Sequence, residues 1–280
     1  MNDAISETST RRWFITGANS GFGLAFVNAA LAAGDEVVAA VRRPESLADV
    51  AAAHPGRLTV VELDVRDAAA RARAVEAAGR IDVLVNNAGY GIVGAVEETA
   101  DPELRDAFEV MFFGALALTR DVLPQMRERR SGTVVQISSM GGMLSFPGVG
   151  AYSAAKGALE LASEALAAEV APLGIRVLIV EPGAFRTGFA APSALRPTDT
   201  RIADYEDTAG ATRETLSGSS GTQEGDPAKA AAAVLEVLSW EETPLRLALG
   251  NDSIDAIRSK LAAVTADLDA TEKLGRAMAV

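Results

Sequence analysis

The sequence predicts an α/β fold: a doubly wound parallel sheet of seven strands with helices on both faces. Three observations carry that prediction. Short apolar runs alternate with helical patterns along most of the 280 residues, an alternation that argues for parallel strands joined by crossover helices. The first run ends in a glycine-rich turn that opens a helix. Polar and small residues follow several later runs, where such a sheet presents its carboxyl edge to ligands.

Residues 13–15 form the first apolar run, which ends in Thr16-Gly17-Ala18-Asn19-Ser20-Gly21-Phe22-Gly23 before a helical pattern over 24–33 that stops at Gly34. Strand, glycine turn and helix together suit a phosphate, because the first-turn N–H groups and the helix dipole favour an anion. The spacing is Gly-x-x-x-Gly-x-Gly, unlike the Gly-x-Gly-x-x-Gly of the general dinucleotide fingerprint, and a turn without a ligand is the alternative. The second strand, 36–41, ends at Arg42-Arg43-Pro44, where an acidic residue would bind both adenine-ribose hydroxyls. Two guanidinium groups there favour a 2′-phosphate, hence NADP over NAD; two solvated loop arginines are the alternative.

Strand 58–61 leads to Asp64 and Val65, followed by an alanine-rich helix over 67–78 and a strand over 81–85 that ends in Asn86-Asn87-Ala88-Gly89. A long helical region over 101–130, with an interruption expected at Pro124, precedes strand 133–139, which delivers Ser138 and Ser139. A helix over 150–171 then carries Tyr152 and Lys156, and strand 175–180 ends in Glu181-Pro182-Gly183-Ala184-Phe185-Arg186-Thr187. From 188 to 225 the composition shifts to Ala, Pro, Ser, Thr and Gly, as in a substrate lid or a linker. A helix over 226–239, a strand over 245–249 and a charged amphipathic helical tail within 251–280 complete one expected domain, preceded by a polar tail at 1–11.

Tyr152 and Lys156 are four positions apart, so one helix face holds both and brings an ammonium beside a phenol. Lowering a phenol from about 10 by three units takes about 4 kcal/mol of preferential phenolate stabilisation. Taken alone, Tyr-x-x-x-Lys also fits a half-buried tyrosine with a surface lysine, so its surroundings decide.

Those surroundings, in order, are Thr16-Gly-Ala-Asn-Ser-Gly-Phe-Gly23, Asp64-Val65, Asn86-Asn-Ala-Gly89, Ser139 with Tyr152-x-x-x-Lys156, and Pro182-Gly183 with Thr187. Together they resemble the short-chain dehydrogenase/reductase family in its compact, single-domain, Rossmann-fold form. The resemblance implies that Tyr152 exchanges a proton with a substrate carbonyl or alcohol, that Ser139 hydrogen-bonds the reacting oxygen, and that Lys156 binds the nicotinamide ribose and holds down the Tyr152 pKa. It implies a cofactor site at Gly17, Asn19, Ser20, Gly21, Phe22, Gly23, Asp64, Val65, Asn87, Ala88, Gly89, Pro182, Gly183 and Thr187, joined by Arg42 and Arg43. Met140, Met143, Phe146, Phe185 and Phe189 are the candidate substrate residues, suited to an apolar organic molecule. One position departs from the family pattern: Met111 stands where an Asn usually helps hold a water in the proton path, and a thioether cannot order water as an amide does.

The expected function is therefore an NADP-dependent carbonyl reductase or alcohol dehydrogenase. A dinucleotide-binding regulatory or scaffold protein is the alternative that Met111 suggests, and an epimerase or dehydratase with bound cofactor a third. A net charge of −12 disfavours nucleic acid and anionic membranes as main partners, and the absence of cysteine excludes thiolate chemistry and disulfides. No metal is expected. A cytoplasmic setting and a homo-oligomer, assembled through the helices at 101–130 and 150–171, complete the expectation.

Overall fold

The computed structural model describes residues 10–192 and 194–278. Most of the predicted polar tail at 1–11 therefore lies outside the described residues. In chain order the elements are β1 (Arg12–Thr16), α1 (Gly21–Ala32), β2 (Glu36–Val41), α2 (Ala48–Ala53), β3 (Leu58–Glu62), α3 (Ala68–Ala78), β4 (Val83–Asn86) and β5 (Gly91–Val93). There follow α4 (Asp101–Phe108), α5 (Ala115–Arg129), β6 (Gly132–Ile137), the single turn α6 (Met140–Met143), α7 (Gly150–Val170), β7 (Ile175–Pro182) and β8 (Leu195–Pro197). The last are α8 (Ala211–Gly218), α9 (Pro227–Val237), β9 (Arg246–Leu249) and α10 (Asn251–Arg276).

Seven strands form one parallel sheet in the order β3-β2-β1-β4-β6-β7-β9. Its central strands are apolar on both faces because both faces are covered. In β1, Trp13 and Ile15 pack with Phe26, Val27 and Leu31 of α1 and with Val234 of α9. Phe14, between them, joins Leu118 and Val122 of α5 and Leu166 of α7 on the other side. β1 pairs with β2 on one edge and β4 on the other, so the winding reverses between β1 and β4 and a crevice opens at their carboxyl ends.

The helical region at 101–130 is interrupted, but not at Pro124. Pro124 lies inside α5, where it and Arg120, whose carbonyl it leaves without an N–H partner, are both exposed and water can serve that carbonyl. The break is a widened π-type turn at Glu109–Gly114, a geometry often found at functional sites. This turn carries Met111 inward, to 1% exposure.

The stretch at 188–225 is not structureless. β8 pairs in parallel with β5, and α8 follows a compact turn. Glu98, itself buried, accepts from Ile202 N at 2.9 Å and from Arg213 at 3.0 Å, while Asp199 N donates to Glu103 at 3.0 Å. The middle of the stretch is thereby tied to the loop that follows β5 and to the first turn of α4.

Candidate active site

The carboxyl ends of β1, β4, β6 and β7 surround a cleft of about 610 Å³. Its floor is set by hydrogen bonds between the first two. Asn87 N and Ala88 N both donate to Thr16 Oγ1 at 2.9 Å, and Asn87 Nδ2 donates to Thr16 O at 2.9 Å. Gly17, Asn19, Ser20, Gly21 and Phe22 border the cleft, whereas Gly23 does not. Gly23 instead packs under the turn, where a Cβ would fall 2.2 Å from Gly17 O. The missing side chain is what permits that close approach. Ser20 caps α1 without using its side chain, which leaves the first-turn N–H groups facing the cleft.

At the far end of the crevice Arg42 and Arg43 line the wall and are exposed, and among the described residues neither guanidinium has a carboxylate partner within ion-pair distance. Asp64 and Val65 also line it, but the Asp64 carboxylate is engaged by Arg66 at 2.7 Å, which holds its pKa below the usual carboxylate value. Arg66 also binds Asp106 at 2.7 Å. Asp106 in turn accepts from Tyr90 Oη at 2.7 Å and pairs with Arg196 at 3.2 Å, and the Arg196 guanidinium lies 3.9 Å from the Tyr90 ring centre. Arg66, Tyr90, Asp106 and Arg196 all border the cleft. Sequence reasoning missed all four; the only signal was Arg66 beside Asp64.

Ser139, Tyr152 and Lys156 come together at the end of β6 and the first turns of α7. Ser139 caps α6, accepting from Gly141 N at 3.0 Å. Tyr152 is partly buried, with Phe189 edge-on at 5.5 Å between ring centres. Lys156 is buried and donates to Ile137 O at 2.7 Å, with Nζ 5.9 Å from the Tyr152 ring centre. Burial pushes the Tyr152 phenol up to about 12, opposed by the Ser139 hydroxyl and reinforced by Glu160. Burial pushes Lys156 down to about 8, against the Glu160 carboxylate. The expected depression of the Tyr152 pKa by Lys156 is thus absent from this geometry: the ammonium is directed to a backbone carbonyl, and desolvation dominates both groups.

Asn87, Ala88, Gly89, Pro182, Gly183 and Thr187 line the same cleft, and Thr187 packs directly on the glycine turn at Gly21. Met140, Phe146, Phe185 and Phe189 border it too; Met143 does not. The α6 turn recedes from the cleft as it seats Gly142 against Glu160, where a Cβ would lie 1.9 Å from the carboxylate. Met111 lies close to the site: both its sulfur and Lys156 Nζ come within 4 Å of a Cβ built at Gly89.

The three tyrosines give a direct check on this electrostatic picture. Burial, ahead of Asp106, raises Tyr90, and a hydrogen bond to Glu97 raises the partly buried Tyr205. All three phenols therefore hold their protons more tightly folded than unfolded. The stability this contributes is present below about pH 10, the unfolded value, and is lost as pH rises through the folded values. Tyrosinate absorbance of the native protein at pH 10 should show Tyr90 and Tyr152 largely un-ionised, and less ionisation overall than the urea-unfolded chain, which is about half ionised there. A native midpoint near 10 would contradict the geometry.

The sequence profile of the family described as short chain dehydrogenase matches residues 11–197. An oxidoreductase of Botryotinia fuckeliana is 41% identical over 251 residues, covering 88% of this chain and 91% of its own. The crystal structure of a short-chain dehydrogenase from Streptomyces avermitilis superposes with a TM-score of 0.91 at 52% identity, covering 97% of this chain and 99% of that one. A short chain dehydrogenase from Burkholderia cenocepacia, solved in complex with NADP, gives a TM-score of 0.73 at 28% identity, covering 93% and 96%.

Proposed function

Because the chain belongs to the short-chain dehydrogenase family, we propose that it is an NADP-dependent oxidoreductase interconverting a carbonyl and a secondary alcohol on an apolar organic substrate. The observation that carries this reading is the convergence of Ser139, Tyr152 and Lys156 in one cleft with the glycine turn of α1. The residues fit a dinucleotide. The free N–H groups at the start of α1 suit the pyrophosphate, and Arg42 and Arg43 suit a 2′-phosphate. Asn87, Ala88, Gly89, Pro182, Gly183 and Thr187 would hold the remainder, with Thr187 seated beside the glycine turn. When bound, the cofactor supplies or accepts a hydride.

In the reductive direction Tyr152 donates its proton to the carbonyl oxygen, and its raised pKa keeps that proton in place at neutral pH. Ser139 hydrogen-bonds the same oxygen, and Lys156 places a cationic group beneath the site. Phe189, edge-on to Tyr152, and the cleft-lining Phe146 and Phe185 give the site an apolar wall suited to such a substrate. We read the stretch at 188–225 as a lid whose middle is fastened through Glu98 and Glu103, so that its motion is confined to its two ends. Phe113 and Leu161, 49% and 69% exposed, support a homo-oligomer formed on the faces of the π-type turn before α5 and of α7.

NADPH consumption with a panel of hydrophobic ketones tests the reaction. Tyr152→Phe should lower kcat by about 100- to 10,000-fold, the range for loss of a general acid, with NADPH affinity unchanged. Near-normal turnover of this variant would remove Tyr152 from the mechanism.

Cofactor choice is tested at the second strand. Charge-assisted hydrogen bonds contribute about 1.5–3 kcal/mol each. Arg42→Ala with Arg43→Ala should therefore weaken NADPH at least about tenfold more than NADH, whereas equal losses in titrations of the two cofactors would contradict a 2′-phosphate role.

Met111 favours a second reading, a dinucleotide-binding regulator with weakened catalysis. A thioether buried beside Lys156 supplies no donor for an ordered water. Met111→Asn should raise turnover and change its solvent isotope effect if proton resupply is limiting; no change in either would show that the relay does not depend on this position. NADPH binding without conversion of any ketone would favour the regulator.

A further inference from the structure

Among the described residues, helix α10 is held to the fold by its first turns. Asp252 accepts from Ala184 N at 2.7 Å, Ser253 donates to Glu181 O at 2.7 Å, and Ile257 is buried. Beyond that, every residue from Arg258 to Met278 is exposed. At 1.5 Å per residue, this exposed part of the helix, Arg258 to Arg276, is about 28 Å long. Such a helix is marginal in water unless an amphipathic face is packed.

It has such a face. Ile254, Ile257, Leu261, Val264 and Leu268 repeat at alternating steps of three and four, continued by Thr271, Gly275 and Met278. This is the spacing of a coiled-coil seam. Leu261, Val264 and Leu268 are 51%, 39% and 64% exposed, so the seam continues from the buried Ile257 into solvent without covering by any other described residue.

We propose that α10 pairs in antiparallel orientation with α10 of a second copy of this chain. The charges beside the seam select both occupant and direction. Arg258 and Lys260 flank its first half, and Asp267 and Glu272 flank its second. In a parallel pair, Asp267 would face the partner's Glu272 on both sides of the seam, like against like. Reversed, the basic half of each helix lies along the acidic half of the other. Each helix thereby supplies the complement of its own charge pattern, which makes a second copy a sufficient partner. This contact is separate from the face that carries Phe113 and Leu161.

Sedimentation of the full chain tests the proposal. Leu261→Glu with Leu268→Glu should raise the dissociation constant of the assembly at least tenfold and reduce helix content by circular dichroism. The effect should persist in a Leu161→Glu background, which separates it from the α7 face. Arg258→Glu with Lys260→Glu, and Asp267→Lys with Glu272→Lys, should each weaken association, and the four changes together should restore it. An assembly unaffected by the seam changes would overturn the proposal. Failure of the combined charge exchange to restore association would overturn the antiparallel arrangement. A monomer that binds phosphatidylcholine–phosphatidylserine vesicles through Leu261 and Leu268 would overturn the proposal in favour of a lipid surface.

Discussion

The hydroxyl of Thr16 accepts two backbone N–H groups, from Asn87 and Ala88, and the arrangement of the cleft depends on that junction. It joins the carboxyl ends of β1 and β4, the two strands between which the winding reverses. Asn87 completes it by donating its amide to the carbonyls of Thr16 and Gly17, which fixes the start of the glycine turn. Space for this exchange exists only because position 23 has no Cβ: one placed there would fall 2.7 Å from Asn87 Nδ2 as well as on the Gly17 carbonyl. The turn, the strand after it and the loop at Asn87 are therefore one object. Two motifs separated by about seventy residues in sequence act as a single cradle.

Helix α7 plays the corresponding part on the other side of the cleft. Tyr152, Lys156 and Glu160 follow one another at four-residue spacing on its inward face. Each is more deeply enclosed than the one before, and the enclosure is balanced by specific partners. Lys156 is met by the Ile137 carbonyl, while Glu160 is met by Ser138 and by Arg246, which also pairs with Glu164 and Glu181. A buried ion pair contributes little net stability but is costly to leave half-made. The cluster therefore acts chiefly as a constraint: it locks α7 to β6, β7 and β9, and so fixes the height at which Tyr152 meets Ser139. The burial that achieves this registration also raises the phenol's pKa.

Much of this was legible in the sequence because it is local or periodic. The sheet strands stand out as apolar runs because the central ones are covered on both faces, and most site motifs stand out because they lie at the ends of such runs, with Tyr152 and Lys156 on the helix that follows one. What was not legible depends on partners far apart in the chain. β5 and β8 are three residues each, with Gly91 opening one and Pro197 closing the other, and their pairing has no periodic signal. Asp106 meets Arg66, Tyr90 and Arg196 across 40, 16 and 90 residues, and no spacing rule connects them. The helix break was expected at Pro124 because proline is the visible breaker, whereas the observed π-type turn contains no proline or other sequence cue except its closing glycine. The direction of the Tyr152 shift was missed for a related reason: proximity of Lys156 can be inferred from a four-residue step, but the depth of burial cannot.

The loop at 183–189 shows how these constraints meet. On one side Thr187 rests against Gly21 of the glycine turn. On the other, Asp252 at the start of α10 holds Ala184 N, and the Asp252 carboxylate fills the space that a side chain at Gly183 would need. Phe185, between these anchors, packs at a tilt against Phe22, 5.1 Å between ring centres, and bridges to Gly225, where the 188–225 stretch closes. One short segment thus touches the glycine turn, the apolar wall, the end of the proposed lid and the root of α10. A displacement of α10 would be felt first at Ala184 and then, through Phe185 and Thr187, at the glycine turn. The outermost helix of the molecule is for this reason mechanically close to its centre.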